Sequence, residues 1–175
     1  MYKYDLFRYG IKGKLALLKG LFIPGFRYTF VLRVIQNRIP VISFLFKFLW
    51  RLLSRWYGIQ IEYNTKIGKG FYIGHFGTIV VNGESIIGEN CNISQGVTIG
   101  RTNRGDRKGA PTIGDSVYIG ANAVVVGKVS IGNNVLIAPN SFVNVDVLPN
   151  SIVLGNPCRI VPKEDATLDY INRKV

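Results

Sequence analysis

The chain has 175 residues, 47% hydrophobic and 18% charged, with twenty glycines and a net charge of +12. That length suits one domain with a real core; the composition excludes a disordered chain, and glycines without a three-residue period exclude collagen. Two distant cysteines, Cys91 and Cys158, and a single histidine, His75, offer neither a disulfide framework nor a metal-ligand set, so no metal is expected and a reducing cytosol suits the chain.

The charge is concentrated at the start. Residues 1–58 hold eleven Lys and Arg against one acid, Asp5, a net of +10, leaving +2 for residues 59–175. The opening stretch MYKYDLFRYGIKGK lacks the apolar core and small-residue cleavage site of a signal peptide. Residues 41–57, VISFLFKFLWRLLSRWY, are the most apolar window, but three cations in 17 positions argue against a membrane span. Lys47, Arg51 and Arg55 recur every fourth residue and share one helical face, while Phe44, Phe48, Leu49, Leu52, Leu53 and Trp56 take the rest. Two roles stay open for this segment. It is a helical cap with its cations in water, or it makes peripheral contact with an anionic membrane, with Lys12, Lys14, Lys19, Arg27, Arg33 and Arg38 adding attraction. No nucleic-acid partner is expected, because Leu and Phe are too dense for a phosphate-tracking surface and no binding motif is present.

From residue 61 a period of six takes over. Ile61, Ile67, Ile73 and Ile79 form one series, Ile87, Ile93 and Ile99 a second, and Ile113, Ile119, Val125, Ile131, Ile137 and Val143 a third; seven of the thirteen are followed directly by Gly. Neither a helix nor a simple alternating strand has that period. A coil of very short parallel strands has it, each strand placing one β-branched residue inward before a Gly or Asn turn, three strands to a triangular turn. The phase breaks by two residues between Ile79 and Ile87, and by a longer excursion, RTNRGDRKGAP, between Ile99 and Ile113.

The stretches GHFGTIVVNGE, NISQGVTIG, GDRKGAPTIG, YIGANAVV and LGNPCRIV resemble the hexapeptide-repeat acyltransferases, and within them the serine O-acetyltransferases and related acetyltransferases of surface-polysaccharide pathways. The resemblance covers about residues 58–163. It implies a left-handed parallel β-helix, mainly β with an N-terminal α-helical segment, divided as 1–58 basic helical segment, 59–163 acyltransferase domain and 164–175 C-terminal tail. It also implies acetyl-CoA as donor and a homotrimer with the carrier lying between neighbouring coils.

Acyl transfer from a thioester to a hydroxyl needs a base, donors for the developing oxyanion and a groove for the carrier. No G-x-S-x-G elbow is present and neither cysteine neighbours the histidine in sequence, so direct transfer is expected. An imidazole titrates closest to neutrality, and His75 stands where the family has its catalytic histidine, just past the inward Ile73. The aspartate that pairs with that histidine in serine acetyltransferases falls fifteen residues earlier, at Gln60; Glu62 and Glu84 are the nearby carboxylates and alternative orienting partners. In the charged loop Asp106 and Arg107 match the GDR motif expected to bind the acceptor, Arg107 offering a fork to an anionic group. Gly100, Gly120, Ala121, Ala138, Pro157, Arg159 and Lys163 match positions that hold the carrier. Two family groups that read the amino acid are replaced, by Gly74 and by Lys108-Gly109. The expected acceptor is therefore a sugar hydroxyl in surface or capsular polysaccharide assembly, free or lipid-linked, at the cytoplasmic face of the membrane. Serine O-acetylation in cysteine biosynthesis is the alternative enzyme, and a non-catalytic β-helix scaffold at the membrane is the alternative of another class.

Overall fold

All thirteen hexad positions are buried, none more than 6% exposed, in the computed structural model of the protein, which describes residues 1–37 and 40–175. Their strands wind into a three-faced coil. The first face stacks β1 (Ile59–Ile61), β4 (Ile79–Val81), β7 (Thr98–Gly100), β10 (Val124–Val126) and β13 (Phe142–Val143). The second stacks β2 (Lys66–Ile67), β5 (Ile86–Ile87), β8 (Thr112–Ile113) and β11 (Ser130–Ile131). The third stacks β3 (Tyr72–Ile73), β6 (Asn92–Ile93), β9 (Tyr118–Ile119), β12 (Val135–Ile137) and β14 (Ser151–Leu154), then closes with β15 (Arg159–Pro162). Among the described residues the named strands pair in parallel except β14 with β15, an antiparallel hairpin that ends the coil. Like residues stack in columns, for example Ile73 with Ile93, Ile93 with Ile119 and Ile119 with Ile137, so each rung buries apolar surface against the next at roughly 1.5–3 kcal/mol per side chain.

The two-residue phase break lies elsewhere than the periodicity suggests. In β4 both Ile79 and Val81 point inward, at 0% and 1% exposure, and it is Val81, not Ile79, that stacks on Ile99. Counting from Val81 the period to Ile87, Ile93 and Ile99 is unbroken. The extra residues belong to the preceding corner, between Ile73 and Ile79, which carries His75. The second break is the loop after β7, where Thr102 bridges Gly109 to form a small antiparallel finger.

Before the coil come helices α1 (Tyr2–Arg8), α2 (Ala16–Leu21), α3 (Pro24–Gln36) and α4 (Pro40–Tyr57). Two of their cations, expected in water or near lipid, are structural instead. Arg33 is 2% exposed, paired with the fully buried Asp5 at 2.8 Å, and donates to Ile67 O at 2.7 Å and Gly68 O at 2.5 Å. Asp5 also accepts the Phe71 amide at 3.0 Å. Arg27 donates to Leu21 O at 2.5 Å and to the Tyr57 hydroxyl at 2.8 Å. Arg38, counted with them, lies outside the described residues. From Lys163 the chain folds back along the third face, burying Ala166, Thr167 and Ile171. The carbonyl of Asn172 accepts from Arg8 and that of Val175 from Asn90, so the C-terminal segment ties the end of the coil to its second rung and to α1.

Candidate active site

His75 sits on the corner between β3 and β4, exposed, its imidazole in none of the described hydrogen bonds. What is fixed is the backbone around it. The Tyr9 hydroxyl accepts the Ile73 amide at 3.2 Å and donates to the Ile73 carbonyl at 3.1 Å, pinning the last strand residue before the loop. Helix α3 presses on the same strand through Gly25, where a Cβ would lie 2.2 Å from Ile73 O. On the far side Tyr57 stacks on Phe76 with ring centroids 5.4 Å apart. Thr78 closes the loop at φ 50°, a left-handed conformation that is costly for a β-branched residue.

The ridge above His75 holds five of the seven carrier candidates in register. Successive corners are linked by backbone hydrogen bonds from Gly96 to Gly77, Asn122 to Gln95, Asn140 to Ala121 and Phe142 to Gly155. Four rung spacings separate the His75 corner from Gly155, roughly 19 Å at 4.8 Å per rung. Gly120, Ala121 and Ala138 lie on this ridge, and at its top stand Pro157 in the β14–β15 turn and Arg159 at the start of β15. Gly120 is small for a reason internal to the coil, since a Cβ there would lie 2.7 Å from Pro139 N and 2.9 Å from Ile137 O. Lys163 is not with them. It follows β15 at the opposite end of that strand, its amide bonded to Asn150 O at 2.7 Å.

Glu62, Glu84, Gly100 and the charged loop occupy the other edge of the first face. Glu62 follows β1, four residue steps from Gly58 beside the His75 loop, roughly 13 Å away along the rung. Glu84 is paired with Arg101. Gln60 projects outward from the middle of β1 opposite Val80. Arg107 bonds Asp146 at 2.7 Å and Lys128 O at 3.3 Å, anchoring the finger to the coil, and its guanidinium together with the Ser130 amide holds the Asp146 carboxyl below its ordinary range. Asp106 is exposed nearby. Within one chain, then, the fold groups Gly120, Ala121, Ala138, Pro157 and Arg159 with His75 and sets Gly100 with the acceptor candidates across the width of the first face.

A cleft of about 470 Å³ opens on that face, lined by Trp50, Ser54, Gln60, Glu62, Gly100 and Arg101 among others. Trp50 and Ser54 come from α4 and, like Tyr9 and Tyr57, escape sequence reading, because no repeat or motif marks a residue whose role depends on how a helix docks. A larger cavity, about 880 Å³, lies where α4 meets the second face and contains none of the expected site residues. Burial pushes the Cys91 thiol up to about 12; its sulfur donates to Gly114 O at 3.1 Å inside the coil, where it has no access to the His75 corner.

Residues 110–145 match the family described as bacterial transferase hexapeptide (six repeats). The serine acetyltransferase of Synechococcus elongatus is 37% identical over 153 residues, 85% of this chain and 62% of that protein; the chain thus spans less than two thirds of that relative's length. The structure of Neisseria gonorrhoeae serine acetyltransferase in complex with serine superposes with a TM-score of 0.74 at 31% identity, covering 91% of this chain and 67% of that one. A serine acetyltransferase in complex with CoA superposes with a TM-score of 0.67 at 32% identity, over 79% of this chain and 57% of the other.

Proposed function

Because the chain belongs to the hexapeptide-repeat acyltransferases, of the serine acetyltransferase-like type, we propose that it transfers an acetyl group from acetyl-CoA to a hydroxyl. His75 acts as general base. It takes the hydroxyl proton as that oxygen attacks the thioester carbonyl; the carbon–sulfur bond breaks and the departing thiolate recovers the proton. The observation that carries this reading is His75 standing exposed at the foot of a ridge that holds Ala121 and Ala138, both half-buried, with Pro157 and Arg159 at its top. Those residues would hold the carrier's extended arm and its phosphates.

L-serine is the leading acceptor, since the relatives matched are serine acetyltransferases and one is solved with serine bound. That ranking reverses the expectation from the sequence. The sugar-hydroxyl reading is kept on two observations: Gly74 and Lys108-Gly109 stand where the family has groups that read the amino acid, and the cleft on the first face is walled by Trp50, Gln60 and Asn103, a mix of aromatic and amide groups that suits a saccharide. We further propose a homotrimer, because the His75 corner and the Glu62–Arg107 edge lie on opposite sides of the first face and a neighbouring coil would bring one against the other. Orientation of the imidazole by Gln60, Glu62 or Glu84 then falls to whichever of them the neighbour presents.

The test is thiol release from acetyl-CoA with L-serine and, in parallel, free and lipid-linked saccharides. Turnover with serine supports the leading reading, and turnover only with a saccharide replaces it. No turnover together with no acetyl-CoA binding would leave the scaffold role.

A further inference from the structure

Helix α4 has two apolar faces, and among the described residues only one of them meets protein. Ser43 and Leu53 are buried, and Phe46, Trp50 and Tyr57 pack against the core. On the other side Val41, Leu45, Phe48, Leu52 and Trp56 are 74%, 64%, 69%, 45% and 81% exposed. At 3.6 residues per turn these five fall within an arc of roughly 80°. Lys47, Arg51 and Arg55 fill the sector between that arc and the buried face, all exposed. A second exposed apolar stretch runs along α2: Leu15, Leu18 and Phe22 are 60%, 54% and 74% exposed, with Lys12, Lys14 and Lys19 near them in sequence. Arg27 bonds both Leu21 O and Tyr57 Oη, so the ends of α2 and α4 are neighbours.

We propose that this surface docks on an anionic lipid bilayer, with the α4 arc in the acyl boundary and its three cations among the phosphates. Charge decides the occupant. The single acid of residues 1–58, Asp5, is fully buried with Arg33, so this surface has nothing acidic to offer a copy of itself. Two chains meeting arc to arc would crowd six cations without a counter-charge. Among the described residues no helix is long and apolar enough to cross a membrane, which leaves a helix lying in the interface plane, apolar side down and basic flank on the headgroups.

Flotation of the full chain with vesicles of phosphatidylcholine and phosphatidylglycerol, against phosphatidylcholine alone, tests it, with tryptophan emission as a second readout. The protein is expected to float with the anionic vesicles only, with a blue shift that Trp56→Phe removes. Lys47→Gln, Arg51→Gln and Arg55→Gln together should weaken partitioning on the order of a hundredfold, about fivefold per cation. Leu45→Glu with Phe48→Glu should abolish it at an unchanged unfolding midpoint, since both side chains already face water. Failure to float with anionic vesicles would overturn the proposal. So would a blue shift that grows with protein concentration in the absence of lipid, because a second copy would then be the occupant.

Discussion

Replacing Asp5 with Ala leaves the Arg33 guanidinium 2% exposed with no counter-charge and strands the Phe71 amide that Asp5 now accepts. Removing one partner of a buried ion pair costs about 3–5 kcal/mol, because the remaining charge stays desolvated. The orphaned amide pushes the cost toward the upper end. For a chain of this size each kcal/mol is worth about 2–4 °C, so the unfolding midpoint should fall by roughly 6–20 °C. Circular dichroism melts at fixed pH measure it, and limited proteolysis shows whether α1 and α3 detach from β2 and β3 first. The double variant Asp5→Leu, Arg33→Met should recover part of the loss, since it removes the uncompensated charge while leaving the carbonyls of Ile67 and Gly68 unpaired. A midpoint change below about 2 °C for Asp5→Ala would refute the argument, because it would mean that the two carbonyls alone satisfy the guanidinium.

Tyr9→Phe removes both hydrogen bonds to Ile73 and should cost about 1 kcal/mol in stability; if Tyr9 positions the loop, kcat falls while KM for acetyl-CoA stays constant. Cys91 is buried with its thiol raised to about 12 while Cys158 is half-buried, so a thiol reagent should titrate one group in the native protein and two after denaturation. Asp146 has a folded pKa below its ordinary 3.8; its stabilising contact with Arg107 is therefore complete above that value and lost as pH falls through the folded one. Amide exchange in residues 101–110 should accelerate only under such acid conditions, and Asp146→Asn should produce the looser loop at neutral pH.

The core was legible because a period of six leaves each β-branched residue a single way to face. Ile93 and Ile119 could be placed inside from spacing alone. The phase break was misplaced because a three-residue strand turns both its first and third residues inward, and spacing cannot distinguish Ile79 from Val81. The hand of the coil came only through resemblance, since the general rule for parallel crossovers points the other way. His75 was legible as an outward residue, coming directly after an inward one and a glycine. Its supports were not, for Tyr9, Gly25 and Tyr57 act through helix docking that no local pattern encodes. Arg33 shows the same limit: an arginine facing a lone aspartate 28 residues away reads as a surface cation until the helices fold together.

The role of His75 is tested most directly by the turnover of His75→Ala and His75→Gln, with acetyl-CoA binding measured on the same preparations. General-base catalysis by His75 predicts a 10²–10⁴-fold loss of kcat with carrier affinity unchanged, since the ridge residues that would hold the carrier are untouched. Turnover within a few-fold of the unmodified protein would contradict it and move the base to another residue.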